Sequence, residues 1–112
     1  KEHGSEFLAE APLGIVIIAD PEVCDVWVED ASIAAIIIQL ATQSLGLGSC
    51  WIQVRKRYHS ENQKAEDFIK PVLDIPEKYS VECIIAIGYP AEGKKPSSEE
   101  SLAHNKIHYN NY

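Results

Sequence analysis

The cysteines and histidines are the residues of this chain best suited to nucleophilic catalysis or metal binding. Cys24, Cys50 and Cys83 lie far apart and form no C-x-x-C pair, which excludes a zinc ribbon and a thioredoxin-type redox motif. His104 and His108 have the i, i+4 spacing of a helical metal site, but the asparagines around them disfavour a helix and no nearby carboxylate or cysteine completes a site. Nothing in the pattern pairs Cys50 with a histidine as nucleophile and base. We therefore predict no metal site and no catalytic side chain, and we expect reduced cysteines.

Short glycine-containing and basic segments are the other places where ligand chemistry could occur. The chain has no G-x-S-x-G, no P-loop and no G-x-G-x-x-G motif. Gly46-Leu47-Gly48 follows a predicted helix and precedes a strand, the reverse of the order in a dinucleotide-binding loop. Arg55-Lys56-Arg57 is a basic cluster in an acidic chain. It is either a solvated strand end or an anion-binding site, and the sequence leaves both open.

The composition predicts one soluble globular domain. The chain has 112 residues, of which 10 are Lys or Arg and 17 are Asp or Glu, so its formal net charge is −7. That charge argues against nucleic acid or an anionic membrane as a partner. The longest apolar window, residues 31–41, is too short to cross a bilayer, which needs about 20 residues. With no signal peptide in the sequence, we expect a cytoplasmic protein.

The elements that must position any site alternate between strand and helix. We predict a helical turn over residues 6–10, strands over 13–19, 49–54 and 80–88, and helices over 26–45 and 62–73. The first strand (LGIVIIA) is almost wholly apolar and is expected to be buried on both faces. Pro71 is expected to kink the second helix or end it early. This order suggests a three-layer α/β arrangement.

The helix over residues 26–45 is the most informative element. Asp25 or Asp30 is its candidate N-cap, and Gly46 can take the left-handed conformation of a C-cap. It carries two apolar stripes, where a surface helix needs only one. They consist of Ile33, Ile36, Ile37 and Leu40, and of Ala34, Ala35, Ile38, Ala41 and Leu45. We infer that a second subunit covers one stripe; the alternative is a central helix wrapped by its own chain.

Two blocks of this sequence resemble a known family when they are taken together. The first runs from Trp27 through the segment LGLGSCWI, which ends at Ile52, and the second is IAIGYPAE, over residues 85–92, followed by Lys94-Lys95-Pro96. Together they resemble the FMN-dependent nitroreductase family, in the same order and over about residues 9–112. The resemblance implies an α+β fold, a nitroreductase-like three-layer α-β-α sandwich. It also implies an intertwined homodimer with FMN at the subunit interface.

The resemblance further implies an activity and a set of cofactor contacts. Reduced nicotinamide, NAD(P)H, would deliver hydride to FMN, which would reduce a nitroaromatic, quinone or related acceptor in a ping-pong cycle. A loop would present four residues beside the flavin ring, and two lysines would contact the FMN phosphate. These residues are Cys50, Trp51, Ile52 and Gln53 for the ring, and Lys94 and Lys95 for the phosphate. In much of the family Glu stands in place of Gln53 and Gly in place of Val54, and that valine would limit the approach to the ring.

The beginning of the chain departs from the family pattern. Family members start with a helix, a basic R-x-S-x-R segment and a Q-P-W stretch, and none of these occurs here. We therefore expect residues 1–112 to be a single nitroreductase-like domain that is a C-terminal fragment, with residues 91–112 as an extended tail docking on the partner subunit. Two alternatives remain. One is a non-catalytic flavin-binding or dimerisation module, and the other is an FMN-dependent enzyme of another reaction on the same fold, such as dehalogenation or flavin breakdown.

Overall fold

The computed structural model describes residues 4–93 and 95–112. Its strands and α-helices are β1 (Leu13–Ala19), α1 (Trp27–Ser44), β2 (Gly48–Gln53), β3 (Tyr58–Ser60), β4 (Gln63–Lys64), α2 (Ala65–Val72) and β5 (Ser80–Gly88). Short 3-10 turns occupy Glu6–Ala9, Glu99–Ser101 and His104–Lys106. The alternation of strand and helix and the α+β character agree with the sequence-based expectation.

β5 is the centre of a three-stranded antiparallel sheet. The strand order is β1-β5-β2, and Ile85 of β5 lies opposite Ile15 on one side and Trp51 on the other. Both neighbours of β5 shield it, so its residues 81–87 are all buried. Within the described residues, β1 and β2 form the two edges of this sheet.

Helices cover both faces of the sheet, which makes the three layers. On one face, Ala31 and Ala35 of α1 pack against Ile17, Cys83 and Ile85. On the other face, α2 and the first 3-10 turn complete a second cluster formed by Ile52, Val54, Ala65, Val81, Ile84 and Ala86. The described part of the chain contains no helix long and apolar enough to span a membrane.

The ends of α1 agree only in part with the expected caps. Gly46 has a φ of 74°, and its N–H donates to Gln43 O while Leu47 N–H donates to Thr42 O, at 3.0 and 3.1 Å. These paired bonds form a Schellman C-cap, as predicted. The N-cap prediction is wrong: Val26 holds that position without a side-chain cap bond, because the helix begins at Trp27, after Asp25 and before Asp30.

Exposure of the apolar elements corrects two expectations. β1 is not buried on both faces of this chain, since it is an edge strand and only Ile17 is buried in it. α1 is not a central helix wrapped by the described residues, because its stripe of Ile33, Ile36, Ile37 and Leu40 is exposed. The second stripe divides, with Ala35 buried and Ile38 half-buried, while Ala34, Ala41 and Leu45 are exposed.

The region after β2 contains a hairpin that the sequence pattern did not predict. β3 and β4 pair antiparallel, and the second helix starts only at Ala65, whose N–H donates to Arg57 O at 2.9 Å. α2 ends at Val72, one residue after Pro71, as expected for a residue that has no N–H to donate to the preceding turn. Beyond Gly88, every described residue is exposed.

Candidate functional site

β2 carries the four residues expected beside a flavin ring, and it is an edge strand rather than a loop. Side chains alternate along a strand, so Cys50 and Ile52 face the α2 side while Trp51 and Gln53 face the α1 side. The structure therefore brings the four residues onto one strand edge but divides their side chains between the two faces. What they share is the backbone of the strand.

Trp51 and Gln53 begin a chain of hydrogen bonds at the end of β2. Trp51 Nε1 donates to Gln53 Oε1 at 2.9 Å, and Gln53 Nε2 donates to Glu82 Oε1 at 3.3 Å and to the Arg55 carbonyl at 3.2 Å. Arg55 Nε then donates to Glu82 Oε2 at 2.7 Å. Each group orients the next, so the end of β2 is held in one arrangement.

A β-bulge explains how Glu82 reaches this position. Cys83 lies opposite Ile17 and Val81 lies opposite Ile18, which leaves Glu82 as an extra residue in β5. Its side chain is 3% exposed, and a buried carboxylate needs a charged partner, which Arg55 supplies. The Glu82 carbonyl also accepts the N–H groups of Val54 and Arg55 at 3.1 and 3.0 Å. Sequence patterning missed Glu82 because it stands inside an apolar strand.

An open cavity of about 390 Å³ lies beside Cys50 at the end of the sheet where β5 terminates. Phe7, Pro12 and Tyr89 line it together with Gly48 and Gly88. A Cβ on Gly88 would stand 2.9 Å from Pro12 Cδ, so a side chain there would force the N-terminal segment to move. The glycine of the GYP turn therefore keeps this end of the sheet closely packed.

A second cavity, of about 220 Å³, lies under Ile52 on the α2 face. His59 and Phe68 line it, and their rings stack with centroids 3.8 Å apart and planes within 5°. His59 belongs to the unexpected β3–β4 hairpin, so nothing in the sequence pattern linked it to β2 or to α2. Gln53 and Val54 border the same cavity.

The remaining candidate residues lie apart from β2. Lys95 is exposed and lines neither of these two cavities, while Lys94 lies outside the described residues. His104 pairs with Glu99 at 3.1 Å and His108 contacts the Tyr112 ring. His104–Lys106 forms only a 3-10 turn, so the two histidines are not presented on one α-helical face.

The thiols differ sharply in environment. Burial, with the nearby charge of Glu82, raises the pKa of Cys83 to about 12, so this thiol stays protonated and unreactive at neutral pH. Cys50 is exposed, and Cys24 donates to Asp30 Oδ2 at 3.3 Å. All three cysteines are free.

The chain is similar to known proteins in both sequence and fold. The model of the nitroreductase family matches residues 1–89. The chain belongs to the nitroreductase family. The FMN-dependent nitroreductase of Clostridium difficile R20291 superposes on 99% of this chain and 64% of its own, with a TM-score of 0.94 and 56% identity.

Two further relatives of this nitroreductase-family chain carry the same provisional name, NADH dehydrogenase/NAD(P)H nitroreductase. The structure from Bacteroides thetaiotaomicron VPI-5482 has a TM-score of 0.82 and 29% identity, covering 98% of this chain and 61% of its own. The protein of Archaeoglobus fulgidus is 38% identical over 93 residues, covering 80% of this chain and 51% of its own. The chain spans about half the length of the curated relatives it matches. The predicted family and its fold are thereby confirmed.

Proposed function

We propose that the protein containing this chain is an FMN-dependent NAD(P)H oxidoreductase that reduces nitroaromatics, quinones or related acceptors by ping-pong hydride transfer. The observation that carries the proposal is the superposition of nearly the whole chain on an FMN-dependent nitroreductase with more than half of the residues identical. When bound, FMN would supply the hydride chemistry, and the chain would bind and orient it.

The donor set of β2 fits the ring of FMN. As an edge strand among the described residues, β2 leaves backbone N–H and C=O groups on its outer side unpaired. Along an antiparallel edge strand, every second residue directs its N–H and C=O away from the neighbouring strand. A flavin ring carries donors and acceptors along its edge, so the alternate residues of the segment Cys50-Trp51-Ile52-Gln53 that face away from β5 can recognise it through their backbone, whatever their side chains are. The hydrogen bonds from Trp51 to Glu82 would keep that backbone in place.

Val54 does not oppose this arrangement. Its side chain is 2% exposed and packs in the cluster with Ile52 and Ala65, so it points into the core. The side chain of Val54 therefore does not stand between β2 and a flavin ring. Compared with glycine, valine restricts only the conformation of the backbone at this position. Gln53 likewise turns its amide toward Trp51 and Glu82, where it serves to position β2 rather than to exchange protons.

Lys94 and Lys95 are our candidates for the FMN phosphate. Lys95 is exposed and has no ion pair among the described residues, so its charge is available. Replacing both lysines by Ala in the complete protein should weaken FMN about tenfold while leaving riboflavin affinity unchanged, because a charge-assisted phosphate contact is lost. Equal loss for both flavins would assign these residues a merely structural role.

A homodimer accounts for the exposed apolar surface of the chain. Ile33, Ile36, Ile37 and Leu40 on α1 and Ile107, Tyr109 and Tyr112 in the tail are all exposed. A second copy would cover α1, and the tail over residues 91–112 would dock on the partner. A cytoplasmic location is consistent with the three free cysteines.

The deciding experiment uses the complete protein. Flavin absorbance after purification tests FMN binding, and stopped-flow mixing with NADPH, then with a nitroaromatic or a quinone, tests the two half-reactions separately. We expect flavin bleaching in the first step and recovery in the second. Bound flavin that no dihydronicotinamide reduces would favour the non-catalytic module instead.

A further inference from the structure

The basic cluster after β2 forms the wall of a cavity. Arg55, Lys56, Arg57 and Lys64 line a space of about 260 Å³ together with Tyr58 and Glu66. The cluster seen in the sequence is therefore joined by Lys64 from the β3–β4 hairpin. This convergence distinguishes it from a strand end whose charges point separately into solvent.

The turn that presents these cations has an unusual backbone. Arg57 N–H donates to Val54 O at 3.0 Å, which closes the turn, and Lys56 has a φ of 57°. Residues other than glycine rarely adopt this left-handed region. Ala65 N–H donates to Arg57 O at 2.9 Å and ties the turn to the hairpin carrying Lys64.

Three of the four cations have no compensating charge. Arg55 is paired with Glu82 at 2.7 Å, and elsewhere Lys70 and Lys78 have carboxylate partners. Lys56, Arg57 and Lys64 form no ion pair within residues 4–93 and 95–112, although the chain as a whole carries seven more acidic than basic residues. Glu66 is the one acidic side chain lining the cavity. The cavity therefore has a net positive charge that an anion of two or more charges would neutralise.

We propose that this cavity binds the phosphate groups of the reduced nicotinamide dinucleotide. The inference rests on the proposed function. The turn begins at Val54, directly after the β2 residues assigned to the flavin ring, so a dinucleotide held here can direct its nicotinamide toward that strand. The exposed ring of Tyr58 adds a surface on which a nucleotide base can stack.

The test compares two variants with the same change of net charge. K56Q/K64Q removes two cations from the cavity, and K78E changes the net charge by the same two units at a residue that does not line it. In the complete protein, K56Q/K64Q should raise the KM for NADPH and NADH about tenfold with little change in kcat. The control variant should change KM and kcat by less than about twofold. Raised salt should increase the KM for NADPH of the unmodified protein by a larger factor than that of K56Q/K64Q.

Two further measurements separate this inference from the proposed function. The hydride donor 1-benzyl-1,4-dihydronicotinamide has no phosphate, so its oxidation reports the flavin reaction without the cavity. Calorimetric titration with ADP-ribose and with 2′-phospho-ADP-ribose reports the cavity without turnover. It also shows whether the diphosphate or the 2′-phosphate is held, and either result supports the proposal.

The proposal is overturned if KM and ADP-ribose affinity are the same in K56Q/K64Q and the unmodified protein, or if the control variant loses as much. It is also overturned if K56Q/K64Q weakens FMN but not ADP-ribose, since the cavity would then hold the flavin phosphate. Failure of the benzyl donor to reduce the unmodified protein would instead contradict the proposed function, and the calorimetric titration would still decide the role of the cavity.

Discussion

The two faces of α1 differ in residue size as well as in burial. The face against the sheet carries Ala31, Ala35 and Thr42, and Ala35 is 0% exposed. The opposite face carries three isoleucines and Leu40, which is 63% exposed. Small residues inside let the helix approach the sheet closely, while large aliphatic residues outside place most of its apolar area in solvent. A helix that only covered its own sheet would show the reverse, and this contrast is what supports the proposed dimer.

The largest expected effect comes from adding a charge to the packed face. Ala35→Glu would place an unpaired carboxylate in the cluster of Ile17, Cys83 and Ile85, at a cost of several kcal/mol. Urea unfolding of this variant should show a large fall in stability or no folded state. Ala35→Ser, which adds only a hydroxyl, should fold with a smaller loss. Unchanged stability of Ala35→Glu would mean that this face is not packed in solution.

The same charge on the outer face should act on assembly instead. Ile37→Glu is expected to weaken self-association at least about tenfold, because the carboxylate would be buried only when a second copy covers the helix. Light scattering across a concentration series measures this, with unfolding in urea as the check on folding. Val23→Glu, which places the same charge at an exposed aliphatic residue outside α1, is the matched control. A monomeric unmodified protein at micromolar concentration would contradict the proposed dimer.

Gln53 of β2 offers a test of the hydrogen bonds that join this strand to Glu82. Gln53→Glu would put a second carboxylate beside Glu82, while Trp51 could still donate its hydrogen bond to the new side chain. The variant should lose about 1–3 kcal/mol of folding stability at pH 7. Repulsion from Glu82 should raise the pKa of the introduced carboxyl in the folded protein above its value in the unfolded chain. The loss of folding stability should therefore be smallest at a pH below the unfolded pKa and should grow as the pH rises. Urea midpoints from pH 4 to 8 should show this trend. A constant deficit would mean that the two carboxyls do not interact.

The smallest expected effect is at Gly46, the glycine in the C-cap of α1, where both faces of the helix end. A Cβ on Gly46 would meet no atom within 4 Å, so Gly46→Ala should cost only the backbone energy of a left-handed alanine, about 1 kcal/mol. Denaturant unfolding measures it, and dimerisation should be unaffected. Gly48→Ala, where φ is not positive, tests instead the contact with Pro90 at 3.5 Å. A loss well above that of a backbone effect at Gly46 would mean that a partner packs against the turn.

Much of the candidate site was visible only as family resemblance. The strand over residues 49–54 is predicted from its apolar run, and the structure places β2 there. The role of its four residues beside a flavin stays a prediction, and the division of their side chains between two sheet faces follows from strand alternation. No sequence pattern pointed to Glu82 or His59. Glu82 interrupts an apolar strand, where it is accommodated by a bulge. His59 lies in a hairpin whose two strands have only three and two residues. The sequence leaves the anion-binding alternative for Arg55-Lys56-Arg57 open, because only the fold brings Lys64 to the same cavity.

The sequence by itself determined the elements whose signals are local. The bounds of β1 and β5, the end of α1 at Gly46 and the alternation of strand with helix follow from apolar runs, glycine and the 3.6-residue period. Tertiary structure decided what those elements face: which stripe of α1 meets the sheet, where the bulge aims Glu82, and that Lys64 joins the basic turn. Those outcomes depend on strand order and register, which bring together residues nearly thirty positions apart such as Gln53 and Glu82. No pattern within a short window of the chain encodes such pairings, because their energies exist only once both strands are in place.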